Sequence, residues 1–139
     1  MNQFEEKSKK SYDSKAEKYE NTFDGKFTVK FKRKLMEEVN IQDGNNVLDV
    51  ACGNGRLLKM LSETADFHGF GIDISENMIR CAKEMNPAMI FQVAGCDKMP
   101  FEGEKMDLVT VCAAFHHFSD INSFAREIHR VLKKGGIIY

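Results

Sequence analysis

From Lys26 onward the chain places Phe27, Phe31, Leu35 and Val39 at four-residue intervals, with lysines and Arg33 between them. That spacing predicts an amphipathic helix of about 13 residues with one buried stripe, broken at Asp43-Gly44. Val47-Leu48-Asp49-Val50 is a short apolar run, read as a buried strand. The turn Ala51-Cys52-Gly53-Asn54-Gly55 follows at once, and Leu57, Leu58, Met60 and Leu61 then mark a helix. Phe67 to Ile74 reads as a second strand. Ser75 is a good cap for the next helix, which carries Met78, Ile79, Ala82 and Met85 on one face and ends at Asn86-Pro87. Met89 to Val93 is a third strand and Asp107 to Cys112 a fourth. Ile121, Phe124, Ala125, Ile128, Val131 and Leu132 make the clearest helical face in the chain. Gly135-Gly136 is expected to stop that helix, and Ile137-Ile138-Tyr139 to open a fifth strand.

Strands and helices thus alternate from residue 47 to 139. This predicts an α/β fold, a Rossmann-like doubly wound and mostly parallel sheet of about five strands. Residues 1–25 are polar with scattered aromatics, among them Tyr19, and form a separate N-terminal segment. The remainder, 26–139, is read as one domain.

Composition adds exclusions. With 139 residues, 42% apolar and 29% charged, the chain has the make-up of one ordinary domain. A formal net charge of −1 gives no general pull towards nucleic acid. No apolar stretch is long enough to span a membrane, and the first ten residues lack an apolar signal-peptide centre. A cytoplasmic protein is expected. Cys52, Cys81, Cys96 and Cys112 form no C-x-x-C pair and read as packed thiols. The four histidines have no metal-ligand spacing, so no metal is expected.

In a doubly wound sheet, ligands bind beyond the carboxyl ends of the strands. The residues there are Asp49 with the turn 51–55, then Asp73 and Ile74, then Cys96 and Asp97, then Ala113 to His117. Three acids at three successive strand ends disfavour a phosphate-rich ligand and favour hydroxyls, amines and a cationic centre. Gly53 and Gly55 allow positive φ and close approach of backbone N–H groups. The helix opening near Arg56 is expected to turn its positive end to a carboxylate. Asn54 and Arg56 read as ordinary loop and helix-start residues. Asp73 lies 24 residues after Asp49, near the usual distance for a carboxylate that grips ribose hydroxyls.

Val47-Leu48-Asp49-Val50-Ala51-Cys52-Gly53-Asn54-Gly55-Arg56 resembles motif I of class I S-adenosylmethionine-dependent methyltransferases. It is most similar to the ubiquinone/menaquinone biosynthesis group. Gly71-Ile72-Asp73-Ile74-Ser75 with Met78, Gly95-Cys96-Asp97-Lys98-Met99-Pro100-Phe101, Asp107-Leu108-Val109-Thr110-Val111 and Leu132-Lys133-Lys134-Gly135-Gly136 resemble later motifs of the family, in order. Tyr12 to Tyr19 resembles its N-terminal lid helix.

The resemblance implies S-adenosyl-L-methionine as cofactor, S-adenosyl-L-homocysteine as product, and a small-molecule methyl acceptor. It implies that Asp49 sits by the methionine amino group and that the backbone at Ala51, Gly53 and Gly55 holds the methionine end and ribose. Asp73 would take the ribose hydroxyls. Ile74 and Met99 would flank adenine, near Met78. Asp97 would accept from the adenine amine, the Cys96 N–H would face a ring nitrogen, and the Ala113 carbonyl would approach the ammonium. Tyr19 would close over the cofactor. Ala51 departs from the commoner glycine by one methyl. Methyl transfer is an in-line displacement in which alignment supplies most of the acceleration. A base is needed only if the acceptor must lose a proton, and His116 is the candidate; the plainer alternative is a packed or backbone-bonded histidine.

Family members usually have seven strands, so a C-terminally truncated chain is expected, with an unfinished edge that is an association hazard. Homodimerisation through that edge, or marginal stability, is expected. Two rival readings stand: a non-catalytic or inactive cofactor-binding module, and an NAD-dependent oxidoreductase. The latter needs a third glycine that Gly53-Asn54-Gly55-Arg56-Leu57-Leu58 lacks. The acceptor, and whether it is oxygen, nitrogen or carbon, is not encoded in any of these motifs.

Overall fold

A computed structural model of the chain describes residues 39–111 and 120–139. The elements are β1 (Asn46–Val50), α1 (Arg56–Leu61), β2 (His68–Asp73), α2 (Glu76–Met85), β3 (Ile90–Val93), β4 (Met106–Val111), α3 (Ile121–Val131) and β5 (Leu132–Ile138). The five strands form one sheet in the order β3-β2-β1-β4-β5, and every pair is parallel. Strand order reverses at β1, which lies between β2 and β4. This is the doubly wound α/β architecture expected of the alternating pattern.

The period-2 rule sorts the strand residues between two layers. Leu48 and Val50 of β1, Phe70 and Ile72 of β2, and Val109 and Val111 of β4 pack with Phe124, Ile128 and Val131 of α3. The alternate positions Val47 and Leu108 pack with Leu58 of α1 and Ile79 and Ala82 of α2. On that side β2 carries Gly69 and Gly71. A Cβ on Gly71 would stand 2.6 Å from the Phe91 ring and 2.8 Å from Cys52 Sγ. The glycines of His-Gly-Phe-Gly therefore make room for side chains of neighbouring segments, Met89 and Phe91 at β3 and Cys52 of the turn after β1. Leu48, Leu57, Leu58 and Val47 are wholly buried, each contributing about 1.5–3 kcal/mol of burial free energy.

Two expectations change. Ile121 is 55% exposed and Ala125 is exposed, so the buried stripe of α3 narrows to Phe124, Ile128 and Val131. The helix also ends at Val131, before the glycine pair, because Leu132 takes extended backbone and starts pairing with Met106. Between the pairs Met106↔Leu132 and Leu108↔Ile137, the β5 side holds extra residues. Gly135, at φ +85, lies in this irregular stretch. The glycines thus shape a bulge in β5 rather than a helix stop. Of the helix expected from Lys26 to Val39, only Val39 lies within the described residues. It is not helical, and it packs part-buried against the α1 side of the core. No helix among the described residues is long and apolar enough to cross a membrane.

Candidate active site

The turn after β1 is built from three residues with positive φ: Ala51 at 57°, Gly53 at 56° and Gly55 at 81°. A left-handed alanine costs about 1–2 kcal/mol, which is the physical reason a glycine suits position 51. The two glycines do different work. A Cβ on Gly53 would meet only Met78 Sδ, at 4.0 Å, so the space above that backbone is open. A Cβ on Gly55 would lie 2.7 Å from Asn86 Nδ2 and 3.1 Å from Ala82 Cβ. Gly55 serves helix packing, while Gly53 leaves a cradle. Asn86, the C-cap of α2, donates from its side chain to the Gly55 carbonyl at 3.0 Å and locks α2 onto the turn.

Asp73, at the end of β2, ties the region together. Its Oδ2 accepts the Gly53 N–H at 2.9 Å and its Oδ1 accepts the Ser75 N–H at 2.9 Å. Ser75 in turn caps α2, accepting the Met78 N–H at 3.1 Å. The carboxylate plane is therefore fixed by two backbone donors from two different turns. Asp49 is 1% exposed, and Thr110 on the neighbouring β4 donates to its Oδ1 at 2.8 Å. Thr110 was not marked as a site residue by the sequence pattern; only the parallel register, which sets it opposite Asp49, reveals it. Asn54 is likewise more than a loop filler. It is buried, and its Oδ1 accepts the Arg56 N–H at 3.2 Å. Helix α1 opens directly after Gly55, so its N-terminal end lies at the same turn, as the sequence pattern predicts.

The structure brings Asp49, Ala51, Gly53, Gly55, Asp73, Ile74 and Met78 to the carboxyl ends of β1 and β2. Ile74 is half-buried and Met78 wholly buried. Beyond β3 lie Cys96, Asp97 and Met99. Asp97 is exposed, whereas Cys96 and Met99 are buried in the α3-side core. Met99 keeps 3% of its surface, so the face it offers a ring is narrow. Tyr19, Ala113, His116 and Cys112 lie outside the described residues. Among the described residues, no group of three His, Cys, Asp or Glu is placed to hold a metal ion. A cleft of about 400 Å³ opens at the other end of the sheet, lined by Asn45, Asp107, Lys133 and Gly136 at the starts of β1, β4 and β5. It is remote from the motif turn.

The loop after β3 has its own fastening. Glu127 Oε1 accepts the Met99 N–H at 2.6 Å. Arg130 donates to the Phe101 carbonyl at 2.6 Å and to the Met99 carbonyl at 2.9 Å. The two side chains pair at 2.7 Å. The bond from Arg130, followed by that from the Met99 N–H, holds the Glu127 carboxyl below the ordinary glutamate range against partial burial.

Comparison with known proteins agrees with this geometry. A family described as a methyltransferase domain matches residues 48–139. The demethylmenaquinone methyltransferase of Staphylococcus saprophyticus is 34% identical over 113 residues, covering 78% of this chain and 48% of that protein. The chain spans about half the length of the curated relatives it matches. The PH0226 protein of Pyrococcus horikoshii superposes with a TM-score of 0.72 at 30% identity, over 85% of this chain and 57% of that one. Phosphoethanolamine N-methyltransferase 1 of Haemonchus contortus shares the fold, with a TM-score of 0.83 at 18% identity over 97% of this chain and 31% of that one. Motif order, strand order and these likenesses agree: the chain belongs to the methyltransferase domain family, with relatives among the menaquinone methyltransferases.

Proposed function

We propose that this chain binds S-adenosyl-L-methionine at the carboxyl ends of β1, β2 and β3 and serves methyl transfer to a small-molecule acceptor. The observation that carries the reading is the 2.9 Å bond from Gly53 N–H to the Asp73 carboxylate. It joins the open glycine turn to the acid suited to a ribose diol, two features 20 residues apart in sequence. The residues fit the group. Gly53 leaves space where a side chain would stand, and the carboxylates of Asp73, bonded to its N–H, and of Asp49, near the end of β1, suit a sulfonium and an amine.

In this reading Asp49, held by Thr110, faces the methionine amino group. The backbone of Ala51, Gly53 and Gly55 supports the methionine end, and Asp73 takes the ribose hydroxyls. Ile74 and Met99 flank the adenine, and Met78, wholly buried next to Gly53, supports the turn from beneath. Asp97 accepts from the adenine amine, and the Cys96 N–H serves a ring nitrogen. Ala113 approaches the ammonium, Tyr19 in a lid formed by residues 1–25 closes over the site, and His116 takes a proton from acceptors that must lose one. The bound cofactor supplies a methyl carbon already activated by positive sulfur. The protein's task is alignment and exclusion of water. A cytoplasmic setting agrees with cysteines carried as thiols at 52, 81 and 96. A quinone precursor is the acceptor class named for the curated relatives, and it is the first to try.

Calorimetry tests the reading: S-adenosylhomocysteine should bind and NAD should not. The reverse preference would replace the reading with a dinucleotide enzyme. Binding with no turnover across a panel of methyl acceptors would make the chain a cofactor-binding module.

Self-association through β5 belongs to the same proposal. Ile137, Ile138 and Tyr139 are 62%, 46% and 42% exposed, and β5 pairs only with β4 among the described residues. Such an edge invites strand pairing. Light scattering after size exclusion should report a dimer that Ile137→Lys returns to monomer. A wild-type monomer at high concentration would refute it.

A further inference from the structure

We propose that Glu127 and Arg130 of α3 are positioning residues that hold the loop after β3 so that its Cys96-Asp97 tip can read the base of the nucleoside. The inference rests on the cofactor site proposed above. It goes further by assigning base discrimination to two side chains on the opposite face of the sheet from α1 and α2.

The loop is anchored at both ends. On the upstream side the Ala94 N–H donates to the Asp73 carbonyl at 3.0 Å, fixing the loop to the strand end that carries the ribose acid. On the downstream side Glu127 and Arg130 bond three backbone groups, the N–H and carbonyl of Met99 and the carbonyl of Phe101. Met99 and Phe101 turn their side chains into the core, where the Phe101 ring meets Phe70 edge-on at 5.7 Å. Between the anchors stand Asp97 and Lys98, both exposed. A carboxylate on an exposed tip selects an exocyclic amine only if its position is set by the backbone beneath it.

The pair is not an ordinary surface ion pair. Two charges three residues apart on a helix need no third partner. Here each reaches the backbone of another segment, and Arg130 bonds Glu127 and two carbonyls together, the planar fork geometry that a lysine cannot reproduce. The helix end is drawn in as well, since the Arg130 and Val131 carbonyls accept the Glu104 and Lys105 N–H groups at 2.8 and 2.9 Å. The loop from Met99 to Lys105 is thus laid along the C-terminal turn of α3.

The test compares binding of S-adenosylhomocysteine with binding of S-inosylhomocysteine, which has oxygen in place of the 6-amine, to the full chain by calorimetry. The wild type should prefer the adenine form. Glu127→Ala and Arg130→Ala should each cut that preference about tenfold and leave the affinity for the inosine form within about twofold. Glu127→Gln keeps an oxygen for the Met99 N–H and should retain most of the preference. Arg130→Lys keeps charge without the fork and should lose it. A merely structural role would weaken both ligands alike. Equal losses for the two ligands, or an unchanged preference in variants that still melt above the assay temperature, would overturn the proposal. Should the alanine variants fail to fold, Arg130→Lys and Glu127→Gln decide it by the same ratio. A wild-type chain that binds neither ligand would sink the cofactor reading itself. A wild-type chain that binds but shows unaltered preference in the variants would sink only the clamp.

Discussion

Replacing Asp73 by alanine is expected to weaken S-adenosylhomocysteine binding by about 100-fold or more, roughly 2.7 kcal/mol. Two losses combine. The side chain would no longer accept from the ribose hydroxyls, a charge-assisted interaction about twice as strong as a neutral one. The Gly53 and Ser75 N–H groups would also lose their shared acceptor, which lies 2.9 Å from each. The turn above β1 and the start of α2 would then be free to drift apart, so the cradle itself would loosen. Leaving buried donors unmet costs about 1–3 kcal/mol each, and a lower melting temperature is expected alongside. Asp73→Asn separates the effects. It keeps the volume but sets an NH₂ against one of the two backbone donors, so binding should fall with a smaller loss of stability. Calorimetry well below the melting temperature reads the affinity. Unchanged affinity in Asp73→Ala would remove the basis for placing a nucleoside here.

Gly55→Ala should have the largest effect on folding. The residue sits at φ +81, where any Cβ costs about 1–2 kcal/mol. The added methyl would also stand 3.2 Å from the Ala82 backbone and 2.7 Å from Asn86 Nδ2. Asn86 would have to leave the Gly55 carbonyl, undoing the lock between α1 and α2. Overpacking of this kind adds about 1–3 kcal/mol, for a total of about 2–5 kcal/mol in urea unfolding. Gly53→Ala makes the contrast. Its methyl would meet only Met78 Sδ at 4.0 Å, so only the backbone strain falls on stability, and the larger loss should appear in ligand binding because the methyl enters the cradle. If Gly55→Ala unfolds at the wild-type urea midpoint, the close approach assigned to that residue is wrong.

The local elements were legible because periodicity and turn chemistry act over a few residues. The short apolar runs at Val47 to Val50 and Asp107 to Val111, the Ser75 cap and the 51–55 turn all appear in the structure as the pattern implies. The narrower stripe of α3 was not legible, because an apolar residue at helical spacing is buried only if another layer reaches it. Ile121, at the start of the helix, is left in the open. The end of α3 differs from the pattern's expectation for a related reason. Pairing of Leu132 with Met106 draws the chain into the sheet before the glycines are reached.

What the sequence determined by itself is the set of elements, their order, and the acids and glycines at the strand ends. Tertiary structure alone decided which distant groups share a bond: Thr110 with Asp49 across 61 residues, Asn86 with Gly55 across 31, and Arg130 with Met99 across 31. A hydrogen bond acts over about 3 Å, and no pattern along the chain specifies such a distance until strand register and helix docking bring the partners side by side.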